Sequence, residues 1–297
     1  MRGPRLALLR LLPLLSLAAC GGADVSICSK NFTESIILGE IVAQRIEAAD
    51  MPVDRRFNLG GTFVCHEALV AGQIDLYVEY TGTAYSAILQ LPLERDPDRV
   101  RHVVDSVYRE RWNIVWTEPL GFENTFAVLI RGDDQRRLGI TTISEAVPFA
   151  TAWRPGFGYE FSERADGFRG LVETYGLEFA EPPAEMDLGL TYRALAEGRV
   201  DLIAGNSTDG QIAALGLYHL RDDRRYFPPY EAVPIVRQET LERYPPLREI
   251  LRELGGTIDV ATMRHMNYLV DVERRAVADV ARDFLAERGA GPDPTEP

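Results

Sequence analysis

From residue 25 onward, short apolar runs alternate with longer stretches in which apolar residues return every three or four positions. That alternation is the signature of strands and amphipathic helices taken in turn. Val25–Cys28 reads as a short strand. Asn31 and Glu34 have the spacing of a capping box. A helix then runs to about Ala49, with Leu38, Ile41, Val42, Ile46 and Ala49 on one face. This places Lys30 just before a helix N-terminus, where backbone N–H groups favour an anion. Further along, 97–112 and 166–176 read as helices, and 113–117, 123–131 and 232–237 as strands. The Pro-rich stretch Phe179–Glu185 reads as loop, 245–288 as mostly helical, and Gly289–Pro297 as a polar, disordered tail.

One unit of this pattern occurs twice. Residues 68–76 read A-L-V-A-G-Q-I-D-L and residues 194–202 read A-L-A-E-G-R-V-D-L, five of nine positions being identical at an offset of 126 residues. The offset is too long for a solenoid and predicts two halves built on the same supersecondary unit. In each copy a helix ends at a glycine able to take positive φ, Gly72 or Gly198. A strand follows, Ile74–Val78 or Val200–Ala204, then a polar turn that opens another helix. Ligands of open α/β sheets gather beyond such strand ends. The turns 79–83 and 205–210 are therefore candidate site loops, with Tyr80 and Asn206 in equivalent places.

The first twenty residues stand apart. Arg2, Arg5 and Arg10 precede the apolar run Leu11–Ala19, too short to span a bilayer but suited to the h-region of a secretory signal. The run ends L-A-A-C, which resembles a bacterial lipobox with Cys20 as the lipid-bearing residue. The expectation is a signal peptide over 1–19, a lipid-tethered N-terminus over 20–23, and a location on the periplasmic or cell-surface side of a bacterial membrane.

Without those three arginines the chain keeps 29 basic and 45 acidic residues, a charge of −16. That excess argues against a nucleic-acid partner, which needs a basic face. Four histidines without ligand spacing predict no metal site, and no cofactor is implied. Cys28 and Cys65 remain; an exported compartment permits a disulfide, but spacing alone does not decide it. Lys30 is the single lysine among 32 Lys and Arg residues.

Several motifs in order carry a family resemblance: S-K-N-F-T-E (29–34), N-L-G-G-T (58–62), the first repeat through Y-T-G-T (80–83), and G-F-x-N-T (121–125). It continues in E-F-x-x-R-x-D-G (160–167), S-T-D-G (207–210) and F-P-x-Y-x-A-x-P-I-V-R (227–237). The series resembles substrate-binding proteins of ABC transporters for glycine betaine, choline and related osmoprotectants, and spans essentially the whole exported chain. The resemblance implies an α/β, type II periplasmic-binding fold: two α/β lobes, 24–124 plus 232–297 and 125–231, with the ligand in the cleft between them. It also implies a binding protein rather than an enzyme, a monomer that hands a small quaternary amine or zwitterion to an ABC permease.

In this family a quaternary ammonium, which cannot donate hydrogen bonds, sits among ring faces worth about 0.5–2 kcal/mol each. Carried over by motif, the cage falls on Tyr80, Phe126, Asn206 and Tyr230. The donors to an anionic ligand group fall on Lys30, Thr83 and Arg164. Two positions depart from the pattern of high-affinity members. Phe126 lacks the usual hydroxyl, and Asn206 replaces a ring, which is closer to the low-affinity osmoprotectant branch. The missing ring also fits a different ligand, such as an amino acid or a thio-imidazole betaine. Each residue has a plainer reading. Tyr80 and Phe126 suit a core, Thr83 a helix cap, Arg164 a solvated ion pair, Tyr230 a surface loop, Asn206 a turn and Asp209 a cap. Trp116 and Trp153 are candidate fluorescent reporters of closure.

Overall fold

The structure, a computed structural model, describes residues 24–288. The expected signal, Cys20 and the polar tail lie outside the described residues. Among the described residues, ten strands form two five-stranded sheets. The first holds β1 (Val25–Lys30), β2 (Val53–Gly60), β3 (Leu76–Tyr80), β4 (Ile114–Trp116) and β10 (Ala232–Arg237), in the order β2-β1-β3-β10-β4. The second holds β5 (Phe126–Arg131), β6 (Pro155–Gly158), β7 (Ala184–Met186), β8 (Leu202–Asn206) and β9 (Leu217–Leu220), in the order β7-β6-β8-β5-β9.

The two sheets have the same plan. β1 runs parallel to β2 and β3, as β6 does to β7 and β8. One antiparallel strand is then inserted beside the repeat strand: β10 beside β3, and β5 beside β8. The chain passes between the sheets twice, in 117–125 and 221–231, tied by a Glu123–Glu231 bridge.

The repeated sequence explains the shared plan. The helix Thr62–Val70 leads to β3, and Leu188–Ala196 leads to β8. Gly72 and Gly198 both adopt φ +70°. The turns that follow make matching hydrogen bonds: Ile74 N–H to Ala68 C=O, and Val200 N–H to Ala194 C=O. The repeated aspartates do matching work too. Asp75 accepts from Ser26 N–H at 2.9 Å, and Asp201 from Arg154 N–H at 3.0 Å, each locking its strand to a parallel neighbour.

Both strands begin two residues later than the apolar pattern predicts, so Tyr80 and Asn206 are their last residues rather than turn residues. Along β3 the side chains alternate: Leu76, Val78 and Tyr80 enter one apolar cluster, and Tyr77 the opposite one. Helices cover both faces, as buried mixed sheets require.

Other expectations shift in detail. The tract at 179–185 contributes β7, and β6 (P-G-F-G) is a strand that no alternation announces. Gly156 is required there, because a Cβ would meet Val200 at 2.9 Å. The capping box at Asn31 and Glu34 is absent. Phe32 occupies the N-cap position of the helix Thr33–Glu47 without a side-chain cap, and Glu34 turns inward. Cys28 and Cys65 are free, buried thiols in one apolar cluster.

Candidate functional site

β3 and β8 end at the seam between the sheets, and a cavity of about 320 Å³ opens there. Lys30, Tyr80, Thr83, Phe126, Arg164, Asn206 and Tyr230 all line it. Sheet register brings the key pair together: Phe126 stands directly opposite Asn206 across β5 and β8. Tyr80 occupies the matching position on β3, where its partner is Ala232.

Rings dominate one side. Phe126 lies 5.8 Å from Tyr230 and 4.8 Å from Phe161, both near-perpendicular, and Phe32 lies 6.3 Å from Tyr80. Phe32 and Phe161 were not among the residues expected from sequence, though both sit in the motifs S-K-N-F-T-E and E-F-x-x-R. Asn206 breaks the ring of aromatics, and its side-chain amide has no partner among the described residues.

The two cations of the cavity are each already paired. Lys30, only 2% exposed, donates from Nζ to Glu79 Oε1 at 2.5 Å and to Thr62 Oγ1 at 2.9 Å. Its Nζ also stands 5.3 Å from the Tyr80 ring. Glu79 further accepts from Tyr77 Oη and the Tyr80 N–H. Arg164 grips Asp166 with two N–H···O bonds of 2.8 and 2.6 Å. It also donates to Thr83 Oγ1 at 3.2 Å across the seam, while its guanidinium lies 4.9 Å from the Phe126 ring. Asp166 and its neighbours hold that guanidinium firmly charged. Tyr230 donates to Asp166 at 2.6 Å. Arg164 is therefore no solvated surface ion pair, and Thr83 makes no side-chain cap bond.

Glu34 is the main residue that sequence reasoning misplaced. Its carboxylate collects donors from four segments: Tyr80 Oη at 2.6 Å, Asn124 Nδ2 at 2.8 Å, Asn267 Nδ2 at 3.1 Å, and Thr208 Oγ1. Burial nevertheless raises its pKa, the donors opposing that only in part. Nearby, burial pushes Asp209 up to about 6 and also raises Asp271.

Chemically, the arrangement offers ring faces, hydroxyls and two anchored cations to a small molecule held between two sheets. No cluster of three or more metal-ligating side chains occurs among the described residues. No helix among them is long and apolar enough to cross a membrane.

A cavity between twin α/β units, lined by rings and anchored charges, defines a solute-binding protein. The sequence profile of the substrate-binding domain of ABC-type glycine betaine transport systems matches residues 23–287, and the chain belongs to that family. The glycine-betaine-binding protein of Pseudomonas aeruginosa is 33% identical over 300 residues, covering 94% of each chain. A Helicobacter pylori ergothioneine transport permease/ergothioneine binding protein is 35% identical over 264 residues. That match takes in 89% of this chain and 47% of the Helicobacter protein, so this chain spans about half of its length. A crystal structure titled as a glycine betaine/carnitine/choline ABC transporter superposes with a TM-score of 0.75 at 29% identity, covering 90% of this chain and 99% of the other.

Proposed function

We propose that this protein is the extracytoplasmic receptor of an ABC importer, tethered through a lipid on Cys20, which captures a small quaternary amine or betaine as a monomer and passes it to the permease without turning it over. One observation carries the reading: the seven motif residues, distant in sequence, all line one ring-rich cavity between the sheets. Tyr80, Phe126 and Tyr230, joined by Phe161, offer faces to a trimethylammonium group. Lys30, Thr83 and Arg164 supply donors to a carboxylate. The Lys30 ammonium has three protons and two protein acceptors, which leaves one for ligand. Lobe closure over residues 24–124 plus 232–297 and 125–231 completes the site, because Arg164 and Thr83 come from opposite sides of the seam. A second reading, a betaine with a heterocyclic arm, is favoured by the gap at Asn206, and the Helicobacter relative is named for such a compound.

Calorimetric titration with glycine betaine, choline, carnitine and ergothioneine tests this directly. Saturable binding of at least one, weakened tenfold or more by Phe126→Ala, is the expected result. Binding of an amine-free solute with no response to any of these would overturn it. Trp116 and Trp153 lie in the cores of the two halves and do not line the cavity, so heat is a better readout than their fluorescence.

A further inference from the structure

Behind Asn206 lies a second chamber of about 160 Å³. Asn31, Phe32, Asp187, Leu188 and Asn206 line both cavities, so the two meet at the gap in the aromatic ring. A volume of this size far exceeds the roughly 10–15 Å³ that one water needs.

The chamber's chemistry is one-sided. Glu34, Asp187, Asp209 and Asp271 line it, and among the described residues no lysine, arginine or histidine does. Glu34 is fully engaged by its four donors. Asp271 accepts from Thr33 through Oδ1 and feels the charge of Arg274, and Asp209 accepts from the Gln211 N–H through Oδ1 and from Tyr192. A further acceptor is orphaned. Asn267 is 3% exposed and lines the chamber, its Nδ2 donates to Glu34 and the Thr208 carbonyl, and its Oδ1 has no partner. A buried acceptor without a donor is unfavourable, and the carboxylates of the same wall have no cation among the residues that line it. A group that donates hydrogen bonds and carries positive charge relieves both on entering.

We infer that this chamber is a second ligand subsite, taking a cationic or N–H-donating arm of a ligand whose quaternary ammonium occupies the aromatic cavity. The inference rests on the proposed function for the first cavity. A ring at position 206 would close the passage. Asparagine leaves it open, and the loss of one ring face is offset by a hydrogen-bonded arm.

The test compares two probes on the purified full-length chain: aminopropyl-trimethylammonium and its isostere butyltrimethylammonium, which keeps the quaternary charge but lacks the terminal amine, with choline as reference. The amine should bind at least tenfold more tightly than the isostere. That preference should fall below about threefold in Asp271→Asn and in Asp209→Asn, with choline affinity unchanged; neither residue lines the first cavity. Equal or better binding of the butyl compound overturns the subsite and leaves the quaternary-ammonium reading intact. A preference that survives both substitutions also overturns it, because the arm then lies elsewhere. No binding of choline, glycine betaine or either probe overturns both readings together. Should either variant fold poorly, the wild-type comparison of the two probes still decides.

Discussion

Lys30 and Glu79 form an ion pair with both side chains almost wholly buried. Such a pair is weak evidence of stability, but breaking it leaves a charge in the interior and typically costs about 3–5 kcal/mol. Lys30→Met should therefore destabilise the fold by roughly that amount in urea titrations, whereas Lys30→Met with Glu79→Gln should recover most of the loss. Equal stability of the single and double variants would show that Glu79 does not need its cation. The pair also gives a reason for lysine in a chain otherwise stocked with arginine. A compact ammonium reaches Glu79 and Thr62 at once, whereas a planar fork prefers bidentate geometry and more room. Asn206 is the other decisive residue. Replacing it by tyrosine adds a ring face beside Phe126, so choline should bind roughly tenfold tighter in calorimetry. A weaker or unchanged choline constant would mean that the cage does not extend to position 206.

The elements meet at the seam through glycines that leave no room for a side chain. Gly82 is the middle residue of the short helix Thr81–Thr83 after β3, and a Cβ there would meet the Pro229 carbonyl at 2.5 Å and the Tyr230 ring at 2.7 Å. Gly82→Ala should push the 221–231 crossover off the end of β3, lowering stability by about 1–3 kcal/mol and weakening ligand binding through Tyr230. An unchanged melting temperature and affinity would show that the crossover yields freely. This scale also separates what the sequence disclosed from what it did not. The repeat was legible because Gly72 with Asp75, and Gly198 with Asp201, do local work that needs those residue types: a left-handed turn and a bond to the next strand. The seven cavity residues were legible through motifs. Glu34 was not, because capping is local, whereas its partners Asn124, Thr208 and Asn267 come from segments 90 to 233 residues away. β6 was hidden because its glycines are dictated by packing against Val200, which no periodicity records.

Across the whole molecule, charge sets how the two halves respond to pH. Glu34, Asp209 and Asp271 meet where the helix Thr33–Glu47, the loop after β8 and the helix Val260–Asp271 converge. Asp209 feels the charges of Asp271 and Glu34 and accepts from the Gln211 N–H and Tyr192. Burial holds its pKa at about 6 in the folded protein, against about 4 in an unfolded chain. The folded state therefore binds more protons between those values, and stability must fall as pH rises through that window. Below about pH 4 both states are protonated, and above about pH 6 both are ionised, so the loss is confined to the interval. Asp209→Asn removes the titration and keeps the acceptor for Gln211. Relative to wild type, the variant should gain on the order of 1–2 kcal/mol between pH 4 and pH 7, a figure reduced because Asp209 keeps some exposure to solvent. Asp201, which Arg154 and Arg131 hold at about 2 despite its burial, titrates lower and cancels in the difference. Thermal unfolding of both proteins at the two pH values reads the effect. A constant gap between their melting temperatures would show that Asp209 ionises normally and that the junction tolerates its charge. A gap that widens towards neutral pH would show that burial, reinforced by the charges of Asp271 and Glu34, keeps Asp209 protonated above the ordinary carboxylate range.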